Sequence, residues 1–337
     1  MKILYSETLD GICIQRCFGL DGNVRLPESV AGRTVTRLAP YVFSDSMERA
    51  VRFKGGFTEP LWVWDCDGGT AKAAKAPDTE ALDGLSAVCG GGVTGLELPA
   101  GVRAVGAYAF YGCENLERLE CASTLLDWGA GVFTGCTGLG RLGVRMIPGE
   151  KSCLREILSE LHQALRVDLK APDGALKARL IFPEFYEESV ENTPARIIMR
   201  EMHGCGHMYR YCFDGANFDF KEYDRLFAHA LVQEPEEAAA RMALYRLCWP
   251  EGLSGEAEAL YRAFIRKNPG PAARAALADR DFNMAARVAD EADGRPALEA
   301  MIAEAGARGD AQALALFMDR LHRLFGTEKT ARKKFAL

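Results

Sequence analysis

Two short stretches bring together side chains that could do chemistry. The first, HGCGHMYRYC, sets His203, Cys205, His207 and Cys212 within one decapeptide. Imidazole nitrogens and thiolate sulfurs are preferred ligands of zinc, so these four form a candidate metal centre. Their order, H-x-C-x-H-x4-C, matches neither the C-x2–4-C nor the H-x3–5-H pairing by which a short loop presents two ligands to one tetrahedral ion. A Gly-bearing turn between a strand and the region that follows accounts for the same residues without a metal. The second stretch, LWVWDCDGGT at 61–70, places Asp65 and Asp67 behind an apolar run. Two carboxylates so placed could share phosphoryl chemistry, one as nucleophile and the other as acid.

The aspartate order resembles the D-x-D-x-T of haloacid-dehalogenase-type phosphatases. Thr70 falls one position late, however, and no strand–helix alternation follows to build a parallel sheet. A Gly-rich turn held by an aspartate is the expected structure. Trp62 and Trp64, alternating in the same run, either form an aromatic patch or cover an open edge. His162, His229 and His322 stand singly in segments of helical pattern. No G-x-x-x-x-G-K-[ST] or G-x-G-x-x-G joins a strand to a helix, so nucleotide binding has no support. The expectation is a protein without catalysis, cofactor or resident metal. The alternative is a metal- or phosphate-dependent enzyme centred on the His203–Cys205–His207 or the Asp65–Asp67 cluster.

The elements around these stretches show a clear beat. AFYGCENLERLEC from Ala109 returns as VFTGCTGLGRLGV, pairing Phe110 with Phe133, Gly112 with Gly135, Cys113 with Cys136, Leu116 with Leu139 and Leu119 with Leu142. Every pair differs by 23. A fixed period of about 20–29 residues with Leu in L-x-x-L-x-L order predicts a solenoid in which each repeat is one rung. One rung cannot cover its own apolar face, whereas rungs stacked about 4.8 Å apart bury continuous ladders. The alignment predicts one buried row of Leu96, Leu119 and Leu142 and a second of Leu98, Cys121 and Val144. VRLPESVAGRTVTRLAPYVF at 24–43 repeats LELPAGVRAVGAYAF at 96–110, so five or six rungs fit before residue 146. The segment 55–83 fits none of them and reads as an insertion or a decayed rung.

The order LxLPxxVxxVGxxAFxGCxxLxxL, from Leu96 to Leu119, resembles the BspA-like leucine-rich repeat family over roughly residues 20–145. That resemblance implies a leucine-rich repeat solenoid and a role in protein interaction.

From Lys151 the pattern becomes helical. Leu154, Ile157, Leu158, Leu161 and Leu165 form one stripe, predicting a helix that caps the solenoid. Two extended segments, ARLIFPEF and ARIIMREM, then flank the acidic YEESVENTP, with Pro183 and Pro194 confining them to edges or loops. After Asp219 the chain reads as helix after helix. Asp219 and Ser254 are predicted caps, and NPGP at 268–271 separates two helices. Phe220, Tyr223 and Phe227, then Leu260, Tyr261, Phe264 and Ile265, are predicted core faces. DFNMAARVADEADG and DAQALALFMDRLHR share a pattern at an offset of 29, which resembles ankyrin-like or other α-solenoid arrays. The fold class expected is α+β: a leucine-rich solenoid over 1–146, a capping helix with short strands and loops over 147–215, and an α-helical repeat-like domain over 216–337.

Composition narrows the function. The 337 residues are 48% hydrophobic and 26% charged, with a net charge of −6, which disfavours an extended nucleic-acid surface. The basic run near Lys333 reads as a solvated tail. MKILYSETLDG lacks the apolar core of a secretory signal, and no run suits a membrane span, so a cytoplasmic protein is expected. The eleven cysteines form no framework and read as reduced, mostly buried residues. The expected function is that of a scaffold binding another protein, without nucleic acid or membrane. The expected binding face comprises the sheet positions between the ladder residues: Gly95, Glu97, Arg118, Glu120, Arg141 and Gly143.

Overall fold

The structure, a computed structural model, describes residues 1–48, 57, 59–74, 80–149, 151–192 and 197–326, with backbone alone at 190–192 and 197–199. Pro194, the basic run near Lys333 and part of the 55–83 segment lie outside the described residues. The chain divides into two compact units, residues 1–176 with 182–218 and residues 177–181 with 219–337.

The first unit is built on a β-solenoid of about six turns. Five strands, Asn23–Arg25, Gly95–Glu97, Arg118–Ala122, Arg141–Arg145 and Leu165–Lys170, pair in parallel in that order. Their register sets Val24, Leu96, Leu119, Leu142 and Val167 in one row, each buried. Cys121, Val144 and Leu169 form the next row. Burying each such side chain contributes roughly 1.5–3 kcal/mol, and a one-residue slip would turn the whole set to the surface.

A second sheet carries the other strand of each turn, with Arg33–Leu38, Ala104–Val105 and Asp127–Trp128 again in parallel. Beyond Arg33–Leu38 it continues through Gly11–Phe18 and Lys2–Thr8, then through Leu61–Asp65 and Thr70–Ala73 as antiparallel neighbours. Within 55–83, residues 61–65 and 70–73 are therefore a hairpin added to this sheet and not a rung. Leu61 and Val63 enter a core with Leu4 and Phe18, while Trp62 and Trp64 alternate with them and are half-buried.

The Phe and Cys ladders close each turn. Phe110 lies between Phe43 and Phe133, with ring centroids 6.0 and 5.7 Å away. The thiols of Cys113 and Cys136 donate to the carbonyls of Phe43 and Phe110 on the preceding turn. The amide of Phe43 donates to Ala109 O and that of Phe110 to Val132 O. The amide of Phe133 donates instead to the Glu160 carboxylate, on the helix Leu154–Glu160. That helix thus supplies the acceptor that a further turn would have offered.

Two expectations need correction here. The solenoid does not end at 146, because Leu165–Lys170 extends the parallel sheet. The stripe from Leu154 to Leu165 is also not one helix: it stops at Glu160, and Leu165, Val167 and Leu169 follow the two-residue period of a strand. Burial of that alternating set against the preceding turn outweighs helix continuation. The acidic spacer differs as well. Tyr186–Asn192 is a strand paired with Ile197–His203, and Glu187 meets Arg200 across the pair at 3.2 Å.

The second unit stacks helices. Glu236–Cys248 packs on Gly255–Lys267 and on Pro269–Ala278, and Arg295–Arg308 packs on Pro269–Ala278 and Ala311–Phe325. The expected caps Asp219 and Ser254 accept from amides three residues on, and Asp281 and Asp310, not among the expected caps, cap two further helices in the same way. Asp281 and Asp310, related by the offset of 29, each open the helix that carries the matching pattern. Tyr261 and Ile265 are buried, but Leu260 is exposed, since the i, i+4 pair fixes which face turns inward. Inside the unit, the Arg246 guanidinium, fully buried, meets Asp224 at 2.7 and 3.0 Å, and Tyr261 donates to the same carboxylate at 2.8 Å. Burial alone would lower the pKa of Arg246, but the Asp224 hydrogen bond and charge outweigh it and raise it.

Candidate interaction face

The outward side of the five parallel strands gathers every residue expected to bind. Register puts Gly95, Arg118, Arg141 and Arg166 in one transverse row, with Asn23 at its start. Glu97, Glu120, Gly143 and Asp168 form the next, with Arg25 at its start. A third row runs Ala122, Arg145 and Lys170. These strands present alternate residues outward because successive side chains leave opposite faces, and the inward set is already the apolar ladder.

The polar groups of this face are largely paired with one another. Arg25 meets Glu97 at 2.7 Å, and Arg141 meets Glu117 at 2.9 Å. Two contacts skip a strand. Arg118 donates to Asn23 Oδ1 at 2.8 Å, passing over Gly95, and Lys170 meets Glu120 at 2.7 Å, passing over Gly143. The glycines make the crossings possible. A Cβ at Gly95 would lie 2.5 Å from Asn23 Oδ1, and one at Gly143 would lie 2.0 Å from Glu120 Oε2. Gly95 and Gly143 are thus clearances beneath side-chain bridges.

Two adjoining cavities, of about 260 and 450 Å³, open on this face and share Arg25, Glu97, Leu98 and Arg145 in their walls. Arg118, Glu120 and Lys170 complete the polar lining of the first. Sequence reasoning missed Arg25, Arg145 and Lys170. Arg25 was accessible through the alignment of VRLP with LELP and Arg145 through its offset of 23 from Ala122; Lys170 belongs to the turn where the period of 23 ends.

The two catalytic candidates take different positions. Asp65 Oδ1 accepts from the amides of Asp67 and Gly68 at 3.0 and 3.1 Å, which holds its carboxyl below the usual range. Asp67 Oδ2 instead accepts from the N-terminal ammonium at 2.9 Å. The pair is therefore divided between a turn and the chain terminus. In the other cluster, His203 Nε2 lies 3.1 Å from Glu188 Oε2 and its ring stacks on Tyr186, whereas His207 Nδ1 lies 3.1 Å from Gly204 O. Cys205 and Cys212 are buried, and among the described residues no group of three His, Cys, Asp or Glu side chains could hold a metal ion.

The centre of that segment is Arg210. Its buried guanidinium donates to the carbonyls of Leu161, Gln163, Pro183 and Gly206, at 2.6 to 2.9 Å, which ties together three backbone segments. Burial lowers its pKa to about 10, so it stays charged at neutral pH. None of the eleven cysteines is in a disulfide. Burial pushes the thiols of Cys13, Cys17, Cys136 and Cys248 up to about 12, which leaves almost no thiolate for nucleophilic chemistry. Among the described residues no helix is long and apolar enough to cross a membrane. Comparison of the chain with protein-family models, with curated proteins and with solved structures finds no match in any of the three.

Proposed function

We propose that the protein is a non-catalytic interaction scaffold of the BspA-like leucine-rich repeat type, whose protein partner docks on the outward face of the five parallel strands. The observation that carries this reading is the register. Polar residues from five successive strands line up in rows over a continuous apolar ladder, so the face can vary without disturbing the core. The Leu and Phe ladders support the leucine-rich type. Mixed charge across the rows favours a polar, exchangeable contact over a permanent apolar one. A cytoplasmic setting belongs to the same reading, because eleven unbridged cysteines suit a reducing compartment.

The test uses the full chain. A photo-crosslinking amino acid at Arg141, on the face, is compared with one at Arg103, an exposed position outside the rows. Crosslinking in the native host should capture one protein from position 141 and not from 103. Equal yields from both positions, or none from either, would remove the face from consideration.

A further inference from the structure

We infer that the groove on this face takes an acidic, extended segment of the partner protein, with Arg145 and Arg118 as its anion anchors. The inference rests on the sheet being the docking face and adds the chemistry of what docks there.

Charge bookkeeping comes first. The first cavity is lined by four cations, Arg25, Arg118, Arg145 and Lys170, and two carboxylates, Glu97 and Glu120. Glu97 is engaged by Arg25 and Glu120 by Lys170. Among the described residues Arg118 has only the neutral amide oxygen of Asn23. Arg145 stands opposite Ala122 on one side and Lys170 on the other, so its row holds no anion, and among the described residues its guanidinium has no ion-pair partner. Two cations are left uncompensated in a half-buried groove, on a protein whose net charge is −6. A groove with low-dielectric walls concentrates that field.

Geometry then selects the shape of the ligand. Arg118 and Arg145 sit on adjacent strands, offset by four residues of register. At about 3.3 Å per residue this is about 13 Å along the strands, the separation of acids at i and i+4 in an extended peptide. The second cavity continues past Arg145, where Leu26, Leu98 and Pro99 give it apolar walls. The segment that fits therefore places its acids in the first cavity and apolar side chains in the second. The combined space exceeds what one carboxylate or phosphate would fill.

The experiment measures fluorescence anisotropy with the full chain and a labelled Glu-Leu-Glu-Leu-Glu peptide at low ionic strength. A Lys-Leu-Lys-Leu-Lys peptide is the comparison. Wild type should bind the acidic peptide and not the basic one. Arg145→Glu and Arg118→Glu should each weaken binding by about fivefold or more, while Arg103→Glu, with the same charge change outside the face, should leave it unaltered. Arg145→Lys, which keeps the charge, should retain most of the affinity and guards against loss through misfolding. Failure of wild type to bind, or equal weakening by Arg103→Glu, overturns the inference. Displacement by inorganic phosphate, where chloride of equal ionic strength leaves the peptide bound, would indicate a small-anion site and also overturn it. Position-specific crosslinking at Arg141 with no acidic-peptide binding would sink the inference and leave the docking face standing; loss of both would remove both.

Discussion

Gly129→Ala gives the sharpest test of the stacked-turn geometry. A Cβ at Gly129 would lie 2.2 Å from Ala107 N, 2.5 Å from Ala107 Cα and 2.6 Å from Gly106 C. All three are backbone atoms of the preceding turn, so no side chain can rotate away. Ordinary carbon contact begins at about 3.5 Å, so the two turns must separate by about 1 Å. That separation weakens the bonds joining them, Gly129 N to Val105 O at 2.8 Å and Tyr108 N to Ala130 O at 3.0 Å. Overpacking costs about 1–3 kcal/mol and each weakened bond about 0.5–1.5, offset by roughly 0.5–1 from the lower chain entropy of alanine. The net loss is about 1–5 kcal/mol, centred near 3, which is about 6–12 °C in Tm for a unit of this size. Gly143→Ala is the control, because the atoms nearest its Cβ are those of the Glu120 carboxylate, the end of a flexible side chain. Swinging that carboxylate out releases Lys170 and costs about 0.2–1 kcal/mol, which the alanine gain nearly cancels. Thermal melts of the full chain by circular dichroism should separate the two variants clearly. Equal melting temperatures for Gly129→Ala and wild type, or equal losses in both variants, would refute the stacking.

Other perturbations test separate parts of the molecule. Phe110→Ala removes the middle ring of the Phe43–Phe110–Phe133 ladder and should cost about 3–5 kcal/mol in urea unfolding; a loss under about 1 would show that the ladder is not packed. Asp224→Ala leaves the buried Arg246 without its carboxylate and should cost about 3–5 kcal/mol, whereas Tyr261→Phe, which removes a single bond to it, should cost about 1. Asp83 accepts hydrogen bonds from Lys2 and Lys72, which hold its carboxyl down to about 2 from an ordinary 3.8. A depressed carboxyl stabilises the fold above its unfolded pKa and loses that contribution as the pH falls. The Tm gap between wild type and Asp83→Asn should therefore be full at neutral pH and close as the pH drops from 3.8 towards 2; a gap that persists there would refute the assignment.

The sequence made the solenoid readable where turns of equal length follow without interruption. Leu96, Leu119 and Leu142 recur at 23, and the structure puts them in one row. Upstream, VRLP and LELP could still be aligned across the inserted hairpin, and Val24 does pair with Leu96. Past Leu142 the beat is lost, because the helix Leu154–Glu160 replaces the Phe–Gly–Cys side of the turn and changes its length. Leu161 and Leu165 satisfy both a helical stripe and the approach to a strand. What decides between them is distant in sequence: Arg210 takes the carbonyls of Leu161 and Gln163, and Gln163 Nε2 donates to Cys136 and Leu139 of the preceding turn. No local pattern carries that information.

The face shows the same division between what neighbours in sequence reveal and what only stacking reveals. Alternation was enough to say which residues of each strand point outward. It could not say which charges remain available, because the deciding contacts run two strands away, over Gly95 and Gly143. Glu97 and Glu120 look like the exposed anions of the face but are already engaged by Arg25 and Lys170. Arg145 stands 23 residues after Ala122, opposite it in register, and among the described residues it has no ion-pair partner for a positional reason: its row sets it between Ala122 and Lys170. The carboxylate two strands back, in the position from which Glu120 neutralises Lys170, is Glu97, and Arg25 already engages it. The uncompensated cation is thus a consequence of Arg25 taking Glu97, and the acidic segment that fits this groove would supply the charge that Glu97 no longer offers.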